Sequence, residues 1–319
     1  MADGLVNAYA LSKPSRVLGW SEIEGGTAGA PVWMHLDRSS TRAREWLRSR
    51  SGLDPLIVDA LLADETRPRV ASFRDGLMVI LRGVNLNPGS DPDDMIALRV
   101  WIDSRRLITM RTRRLLAIQD VRNEIKEGMS PETVVDAFVR LVLALVARMA
   151  PVVDEMDQLL DALEERILNE PVRQLRIEIA ELRRTIVGLR RYLAPQREVL
   201  GRLVADDTGL IDDRSRLRLR EAMDTMVRYV EELDMARERS SMLADELNGL
   251  VAERMNKTMY VLSLVGTVFL PLGFVTGLLG VNVAGIPGAD WPLAFGALAL
   301  LLVGLATFEV WLFRRWRLL

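Results

Sequence analysis

Hydrophobic and polar positions follow three different patterns along the 319-residue chain. Up to Gly128 the pattern changes every few residues. Ala30 to Leu36, Gly76 to Leu86, Met95 to Ile102 and Arg106 to Arg111 are short apolar or alternating runs that predict strands. Asp75-Gly76 and Ser104-Arg105 predict turns, the former with hairpin chemistry. Thr41 to Arg50 and Pro55 to Ala63 predict short helices, Asp54-Pro55 serving as a start. This part reads as α/β, with its strand order open.

Beyond Gly128 the period is helical. Ser130-Pro131 predicts an N-cap and first turn. Val134, Phe138, Leu141, Leu145, Met149, Val152, Met156, Leu163 and Ile167 then recur at three or four, predicting one helix. Asn169 and Pro171 mark a second start, and Leu175, Ile179, Leu182, Ile186, Leu189 and Leu193 continue it. Asp206 to Asp213 predicts a turn. A third helix begins near Asp213 and meets no proline until Pro271. Unbroken, Asp213 to Leu279 would run about 100 Å, with Gly249 a place where it could bend. Such a rod would link the body to a membrane span; a coiled-coil stalk without signalling role fits the same pattern.

The third pattern is uninterrupted hydrophobicity. Thr258 to Ala289 holds no charged side chain. Its apolar part, Thr258 to Leu279, covers about 33 Å as a helix, enough to cross a bilayer core. Leu293 to Phe313 is of similar length and broken only by Glu309. Arg254 and Lys257 precede the first span, and Arg314, Arg315 and Arg317 follow the second. The positive-inside rule places both termini in the cytoplasm and the short Gly/Pro-rich loop outside. Trp291, Trp311 and Trp316 sit at the expected interfaces. Val134 to Met149 is also apolar, but Asp136, Arg140 and Arg148 interrupt it, which predicts a buried soluble helix.

Composition narrows the chemistry. Charged residues make up 27% and apolar ones 49%, a mixture unlike a disordered chain or a carrier built mainly of lipid-facing helices. The formal net charge of −2 gives no basis for general nucleic-acid binding. Cys is absent and His35 is the single histidine, which excludes disulfides, thiol nucleophiles and Cys/His zinc sites within one chain. Met1 to Trp20 has no signal-peptide h-region. With no P-loop and no catalytic constellation, an enzyme is not expected. Asp154-Glu155-Asp157 and Glu164-Glu165 read as solvated helix faces, paired with arginines such as those at 173, 176, 183, 184, 190 and 191.

One face of the first span runs at helical spacing through Asn256, Met259, Ser263, Gly266, Leu270, Gly273, Gly277 and Gly280. Gly273 and Gly277 form a GxxxG, which serves close helix packing; pore lining is the other reading. The two coincide if identical helices pack around an axis, since one chain supplies one such helix. At the outer end, Gly280-Val281-Asn282 precedes Gly285-Ile286-Pro287-Gly288. The Asn282 amide offers neutral groups able to contact an ion or its hydration water.

This architecture resembles the CorA-type metal-ion transporters, whose signature after the first span is Gly-Met-Asn. Here Gly280-Val281-Asn282 follows Pro271-Leu272-Gly273-Phe274-Val275-Thr276-Gly277. That variant and Gly285-Ile286-Pro287-Gly288 are similar to the zinc-transport branch, ZntB, as are Thr66-Arg67-Pro68-Arg69 and Leu81-Arg82-Gly83-Val84-Asn85-Leu86. The resemblance implies a homopentamer in a bacterial inner membrane, with the first span lining a central pore and Asn282 at its periplasmic mouth. It further implies that Met259 and Leu262 form a hydrophobic constriction and that Asn256 is a polar pore position below them. Asp245 matches a stalk position tied to regulatory metal, and equally reads as an exposed helix charge. Magnesium members carry Pro-Glu in the outer loop, whereas this chain has Pro287-Gly288. Asp290 alone remains there to attract cations.

The expected organisation is α+β: a cytoplasmic domain over 1–128, long helices and stalk over 129–257, a pore-lining span over 258–279 and an outer loop over 280–292. A second span over 293–313 and a basic tail over 314–319 complete it. The expected activity is zinc uptake driven by membrane potential, proton symport or both, with no cofactor and no high-affinity metal site. A magnesium, cobalt or nickel channel and zinc efflux are the alternatives within this class. A membrane-anchored scaffold is the alternative outside it. Zinc binds tightly through imidazole, thiolate and carboxylate, none of which the proposed pore offers, so a hydrated ion and poor discrimination are expected.

Overall fold

The computed structural model describes residues 3–25, 29–64, 67–167, 169–281 and 291–315. They form two units, Met1–Asp245 and Glu246–Leu319. The first is built on a seven-stranded sheet: β1 (Leu5–Ala10), β2 (Arg16–Val17), β3 (Val32–Asp37), β4 (Arg69–Phe73), β5 (Gly76–Gly83), β6 (Ile96–Asp103) and β7 (Arg106–Arg111). The order across the sheet is β2-β1-β3-β7-β6-β5-β4. Neighbours are antiparallel except β3 and β7, which run parallel with Val32 opposite Arg106 and Asp37 opposite Arg111.

Helices α1 (Trp20–Gly25), α2 (Thr41–Ser49) and α3 (Pro55–Leu62) contribute to one side of the sheet. There Met34, Leu36, Met78, Ile80, Trp101, Ile108 and Met110 share a core with Trp46, Leu47, Ile57, Val58 and Leu61. Alternation sends Val79, Leu81, Leu98, Val100 and Leu107 to the other side, where they are also buried. On that side lie α5 (Val134–Ala147), in contact with β3, β5, β6 and β7, and α7 (Val172–Val204), in contact with β4 and β5. All eight residues of β6 are therefore buried. A strand covered on both faces reads as a nearly continuous apolar run, as Met95 to Ile102 does apart from Arg99.

Five elements escape the hydrophobic pattern: β1, the edge strands β2 and β4, α1, and α4 (Leu116–Lys126), an amphipathic helix between β7 and the helical region. Gly128, at φ 89°, ends α4: its N–H bonds Ile125 O at 3.1 Å, and Met129 N–H bonds Glu124 O at 2.9 Å.

The expected cap at Ser130 is corrected. Thr133 is the N-cap of α5, its hydroxyl accepting from Asp136 N–H at 3.0 Å, while Ser130 Oγ accepts from Ser15 N–H at 3.0 Å. The single helix expected from Val134 to Ile167 is also corrected. It breaks after Ala147, and α6 (Ala150–Arg166) restarts with Pro151 in its first turn. Proline has no N–H for the preceding helix to use, and it disfavours helical backbone in the residue before it.

The charges that interrupt α5 are paired. Asp136 meets Arg140 at 3.0 Å and Arg218 of α8 (Asp213–Leu279) at 2.7 Å, and Arg148 grips Asp120 through two bonds of 2.5 and 2.6 Å. Burial works against ionisation of Asp136, yet the hydrogen bonds from Arg140 and Arg218 prevail and hold its carboxyl below the usual range. The chain ends its described part with α9 (Ala294–Arg315).

His35 is fully buried on β3. The Thr109 hydroxyl donates to Met34 O at 3.1 Å and accepts from Trp33 Nε1 at 3.0 Å, so its 2.9 Å contact with His35 Nδ1 is a bond that the imidazole donates. The ring's Nε2 has no partner among the described residues. Burial, reinforced by the charges of Arg111 and Arg122, lowers its pKa to about 3. An unfolded histidine titrates near 6.5, so between these values the unfolded chain binds the extra proton. Stability is therefore intact above about pH 6.5 and falls as pH drops toward about 3. On going from pH 7 to about pH 5 this group should cost about 2 kcal/mol of stability, a loss that His35→Gln removes, as denaturant unfolding at the two pH values will show.

Candidate functional site

In the second unit, α8 and α9 each carry a segment long and apolar enough to cross a membrane, almost wholly exposed in the single chain. The exposed apolar surface extends from Met255 to Val281 and from Phe295 to Trp311. A surface of this size belongs against lipid or other chains. Inside it, polar groups are satisfied locally: Thr258, Thr267 and Thr276 hydroxyls donate to the carbonyls of Arg254, Ser263 and Leu272 at 3.0, 2.8 and 3.0 Å. Thr307 does the same to Val303 at 2.9 Å. Such bonds let threonine sit in hydrocarbon. Pro271 lies within the helix without ending it.

The membrane part of α8 is not uniform around its axis. Leu264, Val268, Pro271, Leu272 and Val275 are half-buried, whereas the other residues between Ala252 and Val281 are exposed. At about 100° per residue these five form one stripe. Met259, Gly266, Leu270, Gly273 and Gly277 lie on the opposite side, flanked by Leu262, Ser263 and Gly280, with Asn256 at its edge. Met259, Leu262 and Leu270 are 57%, 71% and 75% exposed. α9 has a matching stripe, in which Ala294, Leu298, Leu302, Leu305, Ala306 and Leu312 are half-buried and Glu309 and Phe313 buried. The chain thus shields one side of each helix and leaves the uncharged Met/Ser/Gly side of α8 open.

At the C-terminal end of α8, Gly280 N–H makes a last helical bond to Thr276 O at 2.9 Å. A Cβ on Gly280 would also fall 2.9 Å from that carbonyl, a close approach that favours glycine. Val281 is exposed. Asn282 and Asp290 lie outside the described residues. Glu309 is buried on α9, with no partner for its Oε2 among the described residues. Near the other end of α9, Arg315 lies over Trp311 at 5.7 Å, as residues anchored at a membrane interface do.

Among the described residues, no group of three or more His, Cys, Asp or Glu is arranged to hold a metal ion. Asp245 is exposed on α8. The acidic face of α6 has a partner that its own charge pattern does not reveal. Arg239 of α8 bonds Asp157 at 2.5 Å, Asp161 at 2.6 Å and Glu164 at 2.9 Å. The Asp161 bond, with Glu164 and Asp157 behind it, raises the Arg239 guanidinium against the opposing effect of burial. Of the arginines expected to pair with this face, Arg190 is engaged with Asp234 instead. The Arg239 contact joins residues far apart in sequence, which local spacing does not find.

The chain matches known proteins over most of its length. The model of the family described as CorA-like Mg2+ transporter protein matches residues 28–315. The chain is 41% identical over 288 residues to the divalent cation transporter CmaX of Pseudomonas aeruginosa, covering 90% of this chain and 87% of that one. It is 34% identical over 313 residues to the zinc transport protein ZntB of Pectobacterium carotovorum, covering 98% and 95%. Its fold matches the structure of full-length CmaX with a TM-score of 0.85 at 38% identity over 99% of both chains. The CorA magnesium transporter of Methanocaldococcus jannaschii shares the fold at a TM-score of 0.84 and 20% identity, over 97% of each chain.

Arg239→Ala should lower the thermal midpoint by roughly 2–4 °C, the shift expected for about 1 kcal/mol from a partly exposed ion-pair network. Magnesium should restore part of that loss in the variant, by screening three carboxylates left unpaired, and leave the unsubstituted protein unchanged. Differential scanning fluorimetry with and without magnesium reads both effects.

Proposed function

The chain belongs to the CorA-like Mg2+ transporter family and is a divalent cation transporter rather than an enzyme, and from that premise we propose that it takes up zinc through a pore formed by five copies of α8. The observation that carries this reading is the exposed, uncharged face from Asn256 to Gly277, opposite the half-buried stripe. One such face cannot enclose an ion. A ring of them can, with Met259 and Leu262 as a dewetting constriction and Asn256 as a polar position beside it. Ser263, Gly266, Leu270, Gly273 and Gly277 then line the path, and Gly280-Val281-Asn282 forms its outer mouth. Asp290 is the acidic group available to draw cations there, and Asp245 the stalk carboxylate available for regulation. Both termini face the cytoplasm of the inner membrane, as the basic residues beyond the two spans favour.

Zinc is supported by the relatives named as zinc transport proteins, and breadth by the relative named as a divalent cation transporter. The pore residues present neutral oxygens, hydroxyls and thioethers, so zinc crosses largely hydrated and other divalent ions compete with it. A divalent ion entering a negative compartment gains about 4.6 kcal/mol per 100 mV. The membrane potential therefore suffices for uptake, and efflux would have to overcome it. Glu309, on the shielded side of α9, stands apart from the proposed pore face.

Flux into proteoliposomes tests this. Zinc uptake should rise with an inside-negative potential at zero pH gradient, magnesium should reduce it, and Asn282→Ala should lower it about tenfold or more, as for loss of an ion-contacting group. Uptake that follows the pH gradient at clamped potential, and is lost in Glu309→Gln, would assign the drive to proton symport. Absence of any divalent flux would leave the hairpin as an anchor.

A further inference from the structure

Arg99 stands in the middle of β6, in a strand otherwise nearly all apolar, and is 2% exposed. Its Nη2 donates to Ala63 O at 2.9 Å and Asp64 O at 3.2 Å, just past the end of α3. Its Nε and Nη1 have no partner among the described residues. Burying a guanidinium with two of its three nitrogens unsatisfied is costly, and no described residue supplies the missing acceptors.

Arg99 forms part of the wall of a cavity of about 540 Å³ within the first unit. Its wall carries six guanidinium groups, from Arg38, Arg67, Arg82, Arg99, Arg113 and Arg191, against one described carboxylate, Asp64. The arginines are graded in depth. Arg99 and Arg38 are buried at the floor, Arg82 is intermediate, and Arg67, Arg113 and Arg191 are exposed at the rim. Two have carboxylate partners: Arg38 meets Asp64 at 3.0 Å, and Arg113 grips Asp94 through bonds of 2.5 and 2.9 Å. Arg67, Arg99 and Arg191 have none among the described residues.

Like charges held this close repel. Burial, with the charges of Arg38 and Arg82, lowers the Arg99 guanidinium to about 10, so it remains a cation at neutral pH. The Tyr192 ring adds an aromatic wall, with Arg82 over it at 4.7 Å and Arg191 at 5.7 Å. Forked guanidinium donors arrayed from floor to rim match the oxygens of phosphate groups, which accept bidentate bonds and carry the balancing charge. A volume of about 540 Å³ leaves room for more than one phosphate.

We propose that this arginine-lined cavity binds a phosphate-bearing anion, with Arg99 gripping it at the floor and Arg67 and Arg191 closing on it at the rim. The bound anion completes the hydrogen bonding of Arg99 and neutralises the crowded charge. This site lies in the first unit, apart from the membrane pathway, and stands whatever ion the transporter carries. Its ligand is an inorganic polyphosphate or the phosphate chain of a nucleotide, which share the chemistry and differ in whether a nucleoside engages Tyr192.

Isothermal titration calorimetry of the full-length protein in detergent tests the site, with orthophosphate, pyrophosphate and ATP titrated without divalent cations at matched ionic strength. Saturable binding of pyrophosphate or ATP, tighter than orthophosphate, is expected. Arg191→Ala and Arg67→Ala, both at exposed positions, should each weaken it about tenfold, as should Arg99→Met. Equal affinity for pyrophosphate and ATP would identify the phosphate chain as the whole ligand. Tighter ATP binding, lost in Tyr192→Ala, would add the nucleoside. The proposal is overturned if no phosphate compound binds beyond the effect of sodium chloride, or if the rim variants bind as the unsubstituted protein does. The rim variants keep the test decisive should Arg99→Met fail to fold.

Discussion

A helix in hydrocarbon must bond every backbone donor and acceptor within itself and turn apolar groups to the lipid. A path for a divalent cation requires the reverse, a lining that water and the ion tolerate. In the proposed pore the membrane part of α8 meets both demands on separate sides. Its threonine hydroxyls fold back on carbonyls one turn earlier, removing polar groups from the lipid interface. The side bearing Ser263, Gly266, Gly273 and Gly277 is small, neutral and exposed. One such face cannot enclose an ion, and the proposed ring of copies would supply the rest.

Charge is handled differently in the first unit. Nearly every buried or half-buried arginine there is tied to a carboxylate or a carbonyl. Arg148 grips Asp120, Arg218 reaches Asp136, and Arg239 gathers three acidic residues of α6. The last contact converts a patch of carboxylates that would otherwise resemble a cation site into a link between two helices. Arg99 is tied to two carbonyls as well, yet its other two nitrogens have no acceptor among the described residues, at the floor of a cationic cavity. The contrast between Arg239 and Arg99 separates a structural guanidinium from one available to a ligand.

Much of this was legible in the chain. The four strands β3, β5, β6 and β7 announced themselves because burial leaves long apolar runs, and the two spans because hydrocarbon tolerates few charges. β2 and β4 did not, since short edge strands keep mixed composition. The break after Ala147 was hidden because apolar spacing continues across it, although Pro151 marked it. Leu264, Val268 and Val275 are chemically indistinguishable from the apolar residues around them, so the shielded side of α8 needed coordinates. Arg239 and the arginine cavity depend on residues far apart in sequence, which local periodicity does not report. Arg99, alone among the apolar residues of its strand, was the one visible sign of the cavity.

The central claim is that one side of α8 faces water and ions. The chain has no cysteine, so single substitutions report on individual positions without background. Reaction of a water-soluble, membrane-impermeant thiol reagent with the protein in proteoliposomes is the direct measurement. Ser263→Cys, Gly266→Cys and Leu270→Cys should be modified and lose divalent-cation flux on modification, while Leu264→Cys, Val268→Cys and Val275→Cys should stay unreactive. Modification of the second set with the first inert would contradict the account.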